Sequence, residues 1–111
     1  MELCCRTDED IKKLVENEEV SENLSFFFKS FSEPIRIQIL LAMLQGEICV
    51  KDLAYLLEVS QPRVSNQLKF LKLNKLVKAR KEKNNVFYSL DDQHIEDVLR
   101  IGLSHLEHAE G

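Results

Sequence analysis

All three histidines of the 111-residue chain, His94, His105 and His108, fall within "DDQHIEDVLRIGLSHLEH". Imidazole is the commonest side-chain ligand for transition metals, and Asp92, two residues before His94, adds a carboxylate. His105 and His108 stand at i and i+3, so on a helix they share a face and can hold one ion together. His94 and His105 are eleven residues apart, close to three turns: one face, but roughly 16 Å of axis at ~1.5 Å per residue. An ion with bonds of ~2 Å to nitrogen cannot touch both on one straight helix. The two half-sites join if the helix lies antiparallel to its copy across a two-fold axis. Asp92 and His94 of one chain then meet His105 and His108 of the other, and symmetry makes two such sites. The spacing argues for a homodimer as well as for a metal. Three imidazoles and one carboxylate without sulfur suit tetrahedral Zn(II), with Co(II) as its mimic. Ni(II) would want further ligands, and the sequence has no fourth histidine. The plainer alternative is a set of solvated or interface histidines on a helix.

The elements that must position these groups are read from apolar periodicity. A short acidic helix is expected over about 8–17, with Thr7 and Asp10 as a capping pair. Ser21 is expected to open a helix with Leu24, Phe27, Phe28 and Phe31 on its apolar face. In "SEPIRIQILLAML", Ser32 is the expected N-cap, Pro34 sits in the first turn, and Ile35, Ile39, Leu40 and Met43 face inward until Gly46 ends the helix. "VKDLAYLLEVSQPRVSNQLKFLKLNKLV" reads as two helices with a tight break. The first covers about 50–57 and buries Leu53, Ala54 and Leu57; the second starts at Ser60 and buries Val64, Leu68 and Leu71. "LVKARKEKNNVFYSL" alternates apolar and charged residues about a polar centre, predicting a hairpin whose turn uses Asn84 and Asn85. A last helix follows over 91–108. The expectation is one mainly α domain over 1–111, a winged helix-turn-helix: arm 1–20, helix-turn-helix 50–73, wing 76–90, metal-binding and dimerisation helix 91–108.

Net charge is −4, which taken alone argues against a polyanionic partner. Its distribution reverses that. Between Arg63 and Lys83 eight Lys and Arg face one acid, Glu82, while residues 1–33 carry nine acids against four bases and 91–111 six against one. A basic module between acidic flanks is an electrostatic footprint for nucleic acid. With Val64, Leu68 and Leu71 inward, the second helix turns Gln61, Arg63, Ser65, Asn66, Gln67 and Lys69 outward. Arg63 suits guanine, Asn66 or Gln67 suits adenine, and Ser60 and Lys69 suit phosphates. Arg80, Lys81 and Lys83 on the wing would follow the backbone or an adjacent minor groove. One reading helix is too small for tight specificity, so a dimer on two-fold operator duplex DNA is expected.

No apolar run is long enough to cross a bilayer, and "MELCCRTDED" has no apolar signal core, so a cytoplasmic protein without a membrane partner is expected. The three cysteines then read as thiols or metal ligands.

From about residue 25 to 108 the chain resembles the ArsR/SmtB family of winged-helix metal-sensing repressors. The resemblance rests on "SEPIRIQIL", "VKDLAYLLEVSQPRVSNQLKFL", "VFYSL" and the pattern Asp92-x-His94-x10-His105-x2-His108, which matches the family's zinc-type site. It implies a homodimer built on the first and last helices, with operator DNA bound by the apo form and released when metal enters. Carbonyls around Leu73 to Leu76 are candidate acceptors for the second ring nitrogen of His105. The chain departs from the family at Glu58, where Gly or Asn is usual. It also departs at "EICVKDL", which keeps Cys49 but has Lys51 in place of the second sulfur of the thiolate sensors. Cys4, Cys5 and Cys49 would form a second site for Cd(II) or Pb(II), or a thiol sensor of redox state or reactive sulfur; a half-buried Cys49 with no such role is the alternative. A zinc hydrolase would keep an open ligand position for water; with four protein ligands the reading is a non-enzyme with no small organic substrate.

Overall fold

The computed structural model describes residues 8–110. In chain order the elements are α1 (Glu9–Glu16), α2 (Glu18–Lys29), α3 (Pro34–Ala42), β1 (Ile48–Cys49), α4 (Val50–Leu57), α5 (Gln61–Leu73), β2 (Val77–Glu82), β3 (Asn85–Leu90) and α6 (Gln93–Glu110). The three strands form one antiparallel sheet in the order β1-β3-β2. The architecture is the expected one, mainly helical with a hairpin wing, plus a short strand that periodicity did not predict.

The helix starts follow local capping chemistry. Asp8 caps α1, its carboxylate accepting from the Asp10 N–H at 2.9 Å and the Ile11 N–H at 3.4 Å. Thr7, the expected cap, lies outside the described residues. Asn17 ends α1 and caps α2, accepting from the Val20 N–H at 3.1 Å. The second helix therefore begins three residues before Ser21, because an amide oxygen at Asn17 satisfies an orphan N–H that Ser21 would have met later. Ser32 does not cap α3: its hydroxyl donates back to the Lys29 carbonyl at 2.7 Å, closing α2, and Glu33 takes the cap position without a side-chain bond.

Ile39, Leu40, Leu53, Val64, Leu68, Leu71, Leu76 and Val77 are fully buried, so the core lies where α3, α4 and α5 meet the root of β2. Ile95 and Leu99 of α6 close it from the side. Leu57 is only half-buried. Of the apolar face expected on α2, Phe31 is buried just past the helix end and Phe27 half-buried, whereas Leu24 and Phe28 remain exposed in the protomer.

Two turns carry the helix-turn-helix and its exit. Glu58 (φ 57°) and Lys75 (φ 61°) both adopt left-handed backbone. At the second, the Leu76 N–H reaches the Leu71 carbonyl at 2.8 Å and the Lys75 N–H the Lys72 carbonyl at 3.1 Å. This is a Schellman closure, with Leu71 and Leu76 buried against the same core. After Glu58 the Val59 N–H bonds the Ala54 carbonyl at 3.1 Å in the same sense. The departure at Glu58 thus costs on the order of 1 kcal/mol of backbone strain while the turn itself is kept. In the wing, Glu82 pairs with Asn85, and the left-handed residue is Lys83 (φ 55°) rather than either asparagine. β1 fills the open edge of β3 through Ile48↔Tyr88 and Cys49↔Phe87, tying the start of α4 to the wing.

Candidate functional site

Ser60 caps α5, its hydroxyl accepting from the Arg63 N–H at 3.3 Å, and Val64, Leu68 and Leu71 are buried beneath the helix. That fixes the outward face. Gln61, Arg63, Asn66 and Lys69 are exposed and Ser65 and Gln67 half-buried, with Gln67 one turn after Arg63. Gln67 is already engaged: its Oε1 accepts from Arg36 Nε of α3 at 3.1 Å. Nothing in the spacing of α5 alone announces a contact across 31 residues of sequence.

The wing is less uniformly basic than its sequence. Arg80 donates to both carboxylate oxygens of Glu47, at 2.6 and 3.1 Å, and to Glu82 at 2.7 Å, and lies over the Phe87 ring at 5.1 Å. The hydrogen bonds to Glu47 and then Glu82 hold the guanidinium charged more firmly than usual, and Arg80 holds the Glu47 carboxyl below its ordinary range. Among the described residues Lys81 and Lys83 have no carboxylate within ion-pair distance. We therefore expect Lys81→Ala to lower the slope of log affinity against log salt by about one per bound subunit, and Arg80→Ala, whose charge is already compensated, to lower it by less. Fluorescence anisotropy of a labelled duplex between ~50 and ~200 mM salt reads both slopes.

At the other candidate site, α6 and the Asp92 that precedes it carry the four expected ligands as two separated pairs. Asp92 Oδ1 accepts from the His94 N–H at 2.9 Å and the Ile95 N–H at 3.3 Å, capping the helix and leaving its second oxygen for other work. His94 Nδ1 lies 3.5 Å from Asp92, and its side chain is 90% exposed. Desolvation acts to raise the Asp92 carboxyl, but the Ile95 N–H, the His94 imidazole and the His94 N–H together hold it below its ordinary value. His105 and His108 are exposed, eleven and fourteen residues beyond His94. Among the described residues no three His, Cys, Asp or Glu side chains converge within one protomer.

His105 does not face the end of α5 within the protomer. It lines an apolar groove of about 470 Å³ with Phe28, Ile37, Leu41, Val98 and Leu103, between α2, α3 and α6. The Leu76 carbonyl, one of its expected acceptors, takes the Asp91 N–H at 3.0 Å instead. Cys49 is a half-buried free thiol at the start of α4; Cys4 and Cys5 lie outside the described residues.

A capped reading helix, a preceding helix locked to it by a tight turn, and a three-stranded wing on a helical body define a winged-helix transcriptional regulator. The chain belongs to the arsR family of bacterial regulatory proteins, whose model matches residues 33–79. Over 90 residues it is 36% identical to the transcriptional repressor SmtB homolog of Synechocystis sp., covering 81% of this chain and 68% of that one. It is 38% identical over 79 residues to the cadmium resistance transcriptional regulatory protein CadC homolog of Staphylococcus aureus, covering 70% and 65% respectively. The AntR antimony-specific transcriptional repressor superposes with a TM-score of 0.78 over 97% of this chain and 92% of its own, at 28% identity. No helix among the described residues is long and apolar enough to cross a membrane.

Proposed function

We propose that the chain is a metal-responsive repressor that binds operator DNA as an apo homodimer and leaves it when Zn(II) binds. The observation that carries this reading is the split ligand set on α6. Asp92 and His94 stand at one end and His105 and His108 about 16 Å away at ~1.5 Å per residue, so a complete set needs His105 and His108 of the partner subunit. The apolar residues flanking that helix support the pairing. Ile101 and Leu106 on α6 and Leu24 and Phe28 on α2 are each more than half exposed in the protomer, and contiguous exposed apolar faces mark interfaces.

The donors fit zinc. Three exposed imidazoles and the uncommitted oxygen of Asp92 make a four-coordinate nitrogen and oxygen set. The ion would act as a Lewis acid joining the two chains rather than as a catalyst. Of this chain's own residues, Asp92 caps the start of α6 and would offer its second oxygen as a ligand, and His105 sits in the groove shared by α2, α3 and α6. Drawing these ends together would fix the spacing of the two α5 helices, and by linkage DNA must weaken metal binding by the factor by which metal weakens DNA binding. In a mobility shift, Zn(II) is expected to release the wild-type protein from its operator and to leave His105→Ala bound. An unchanged wild-type shift sinks the sensing half of the reading and leaves the DNA-binding half standing.

A second reading has one observation in its favour. Cys49 is a free thiol at the edge of the wing, and a relative at 38% identity carries cadmium in its name. Cys4, Cys5 and Cys49 would then bind Cd(II) or Pb(II), or respond to oxidants. Loss of response in Cys49→Ser with a normal response in His105→Ala would select it.

A further inference from the structure

We propose that Arg36, on α3 and outside the reading helix, is a positioning residue that sets which base edge Gln67 can read. The proposal rests on the DNA-reading role of α5 and deepens it. Arg36 is the only described side chain that bonds the Gln67 amide. Its guanidinium lies 3.7 Å from the centre of the Phe70 ring, one turn further along α5, and its Nη2 is 3.5 Å from Glu33. With 15% of its side chain exposed, it is clamped in one orientation.

A guanidinium can only donate. The atom of Gln67 that meets Arg36 Nε at 3.1 Å must therefore be the carbonyl oxygen, and the amide NH2 is left at the other end of the group. A glutamine that pairs with adenine needs both ends, NH2 toward N7 and oxygen toward the N6 amine. With its oxygen committed to Arg36, Gln67 faces DNA chiefly as a donor. A lone donor is accepted by guanine N7 and O6 and by thymine O4, whereas at adenine the N7 acceptor stands beside the N6 amine, a donor that the committed oxygen of Gln67 can no longer meet. Adenine recognition falls instead to Asn66, which is exposed and makes no such bond.

The test is selection of bound duplexes from a randomised pool, with affinities then measured for single-base variants of the selected site. Wild type is expected to prefer guanine or thymine at one position of each half-site, and Gln67→Ala to lose preference there alone. Arg36→Met keeps an unbranched apolar stem over Phe70 but cannot donate. It is expected to free the amide and shift preference at that position toward adenine by about tenfold, with the salt slope unchanged. Arg36→Lys restores a donor and is expected to keep the wild-type preference, which guards against Arg36→Met acting through misfolding. Affinity falling evenly over all sequences in Arg36→Met, with base preference intact, overturns the proposal for Arg36. Unchanged preferences throughout in Gln67→Ala overturn the reading of Gln67 itself.

Discussion

Two variants that each lack half of the ligand set are expected to bind Zn(II) when mixed although neither binds it alone. One chain would carry Asp92→Asn and His94→Ala, the other His105→Ala and His108→Ala. Asparagine is chosen at 92 because it can still accept from the His94 and Ile95 N–H groups, as the carboxylate does now, and an aspartate-to-alanine cap loss would itself cost ~0.5–2 kcal/mol. In a homodimer of either variant every site keeps only two of its four ligands. In a mixed dimer one site is empty of ligands and the other is complete. With random exchange of subunits about half the dimers are mixed, so tight binding should return at about a quarter of the wild-type stoichiometry. Co(II) absorption reads coordination number as well as amount, and a tetrahedral spectrum is expected only from the mixture. Sites that fill to the same degree in each separate variant, or that stay empty in the mixture, would remove the cross-subunit arrangement.

The largest stability effect is expected at Leu68→Ala. Leu68 is 1% exposed and sits on the inner face of α5 among Val64, Leu71, Leu53 and Ile39. Truncating such a leucine removes transfer free energy and leaves a cavity, typically ~2–5 kcal/mol, against a total for a small domain of ~5–15 kcal/mol. Leu73→Ala, five residues on and 81% exposed, should change stability by no more than ~0.5 kcal/mol. Urea denaturation at fixed protein concentration compares the two. A similar loss at both positions would mean that α5 is not seated on the core as described.

The helix-turn-helix was legible because its signals are local. Ser60 precedes Pro62, apolar residues recur at 64, 68 and 71, and the polar run KEKNN separates the two arms of the wing; each names an element through a few neighbouring residues. The boundaries of α2 and α3 were not legible, since Asn17 and Ser21 are both competent caps and only the course of the chain decides between them. β1 was missed because two residues carry no period. The pairing of Arg80 with Glu47 and of Arg36 with Gln67 spans 33 and 31 residues, a separation at which composition records two charges or a polar group and says nothing of their meeting. The separation of Asp92 and His94 from His105 and His108 was legible because a straight helix converts spacing into distance.

From Arg100 to Ala109 every residue of α6 is exposed, and this half of the helix meets its own subunit only along the apolar groove it shares with α2 and α3. An isolated stretch of helix this short is marginal in water, and in the proposed homodimer the two outer histidines would gain a fixed address only when another copy lies against them. Under the proposed function, sensitivity to the ion would depend on how much protein the cell holds: dilute the chain below the dissociation constant of its dimer, and the response would fade before any ligand has been altered.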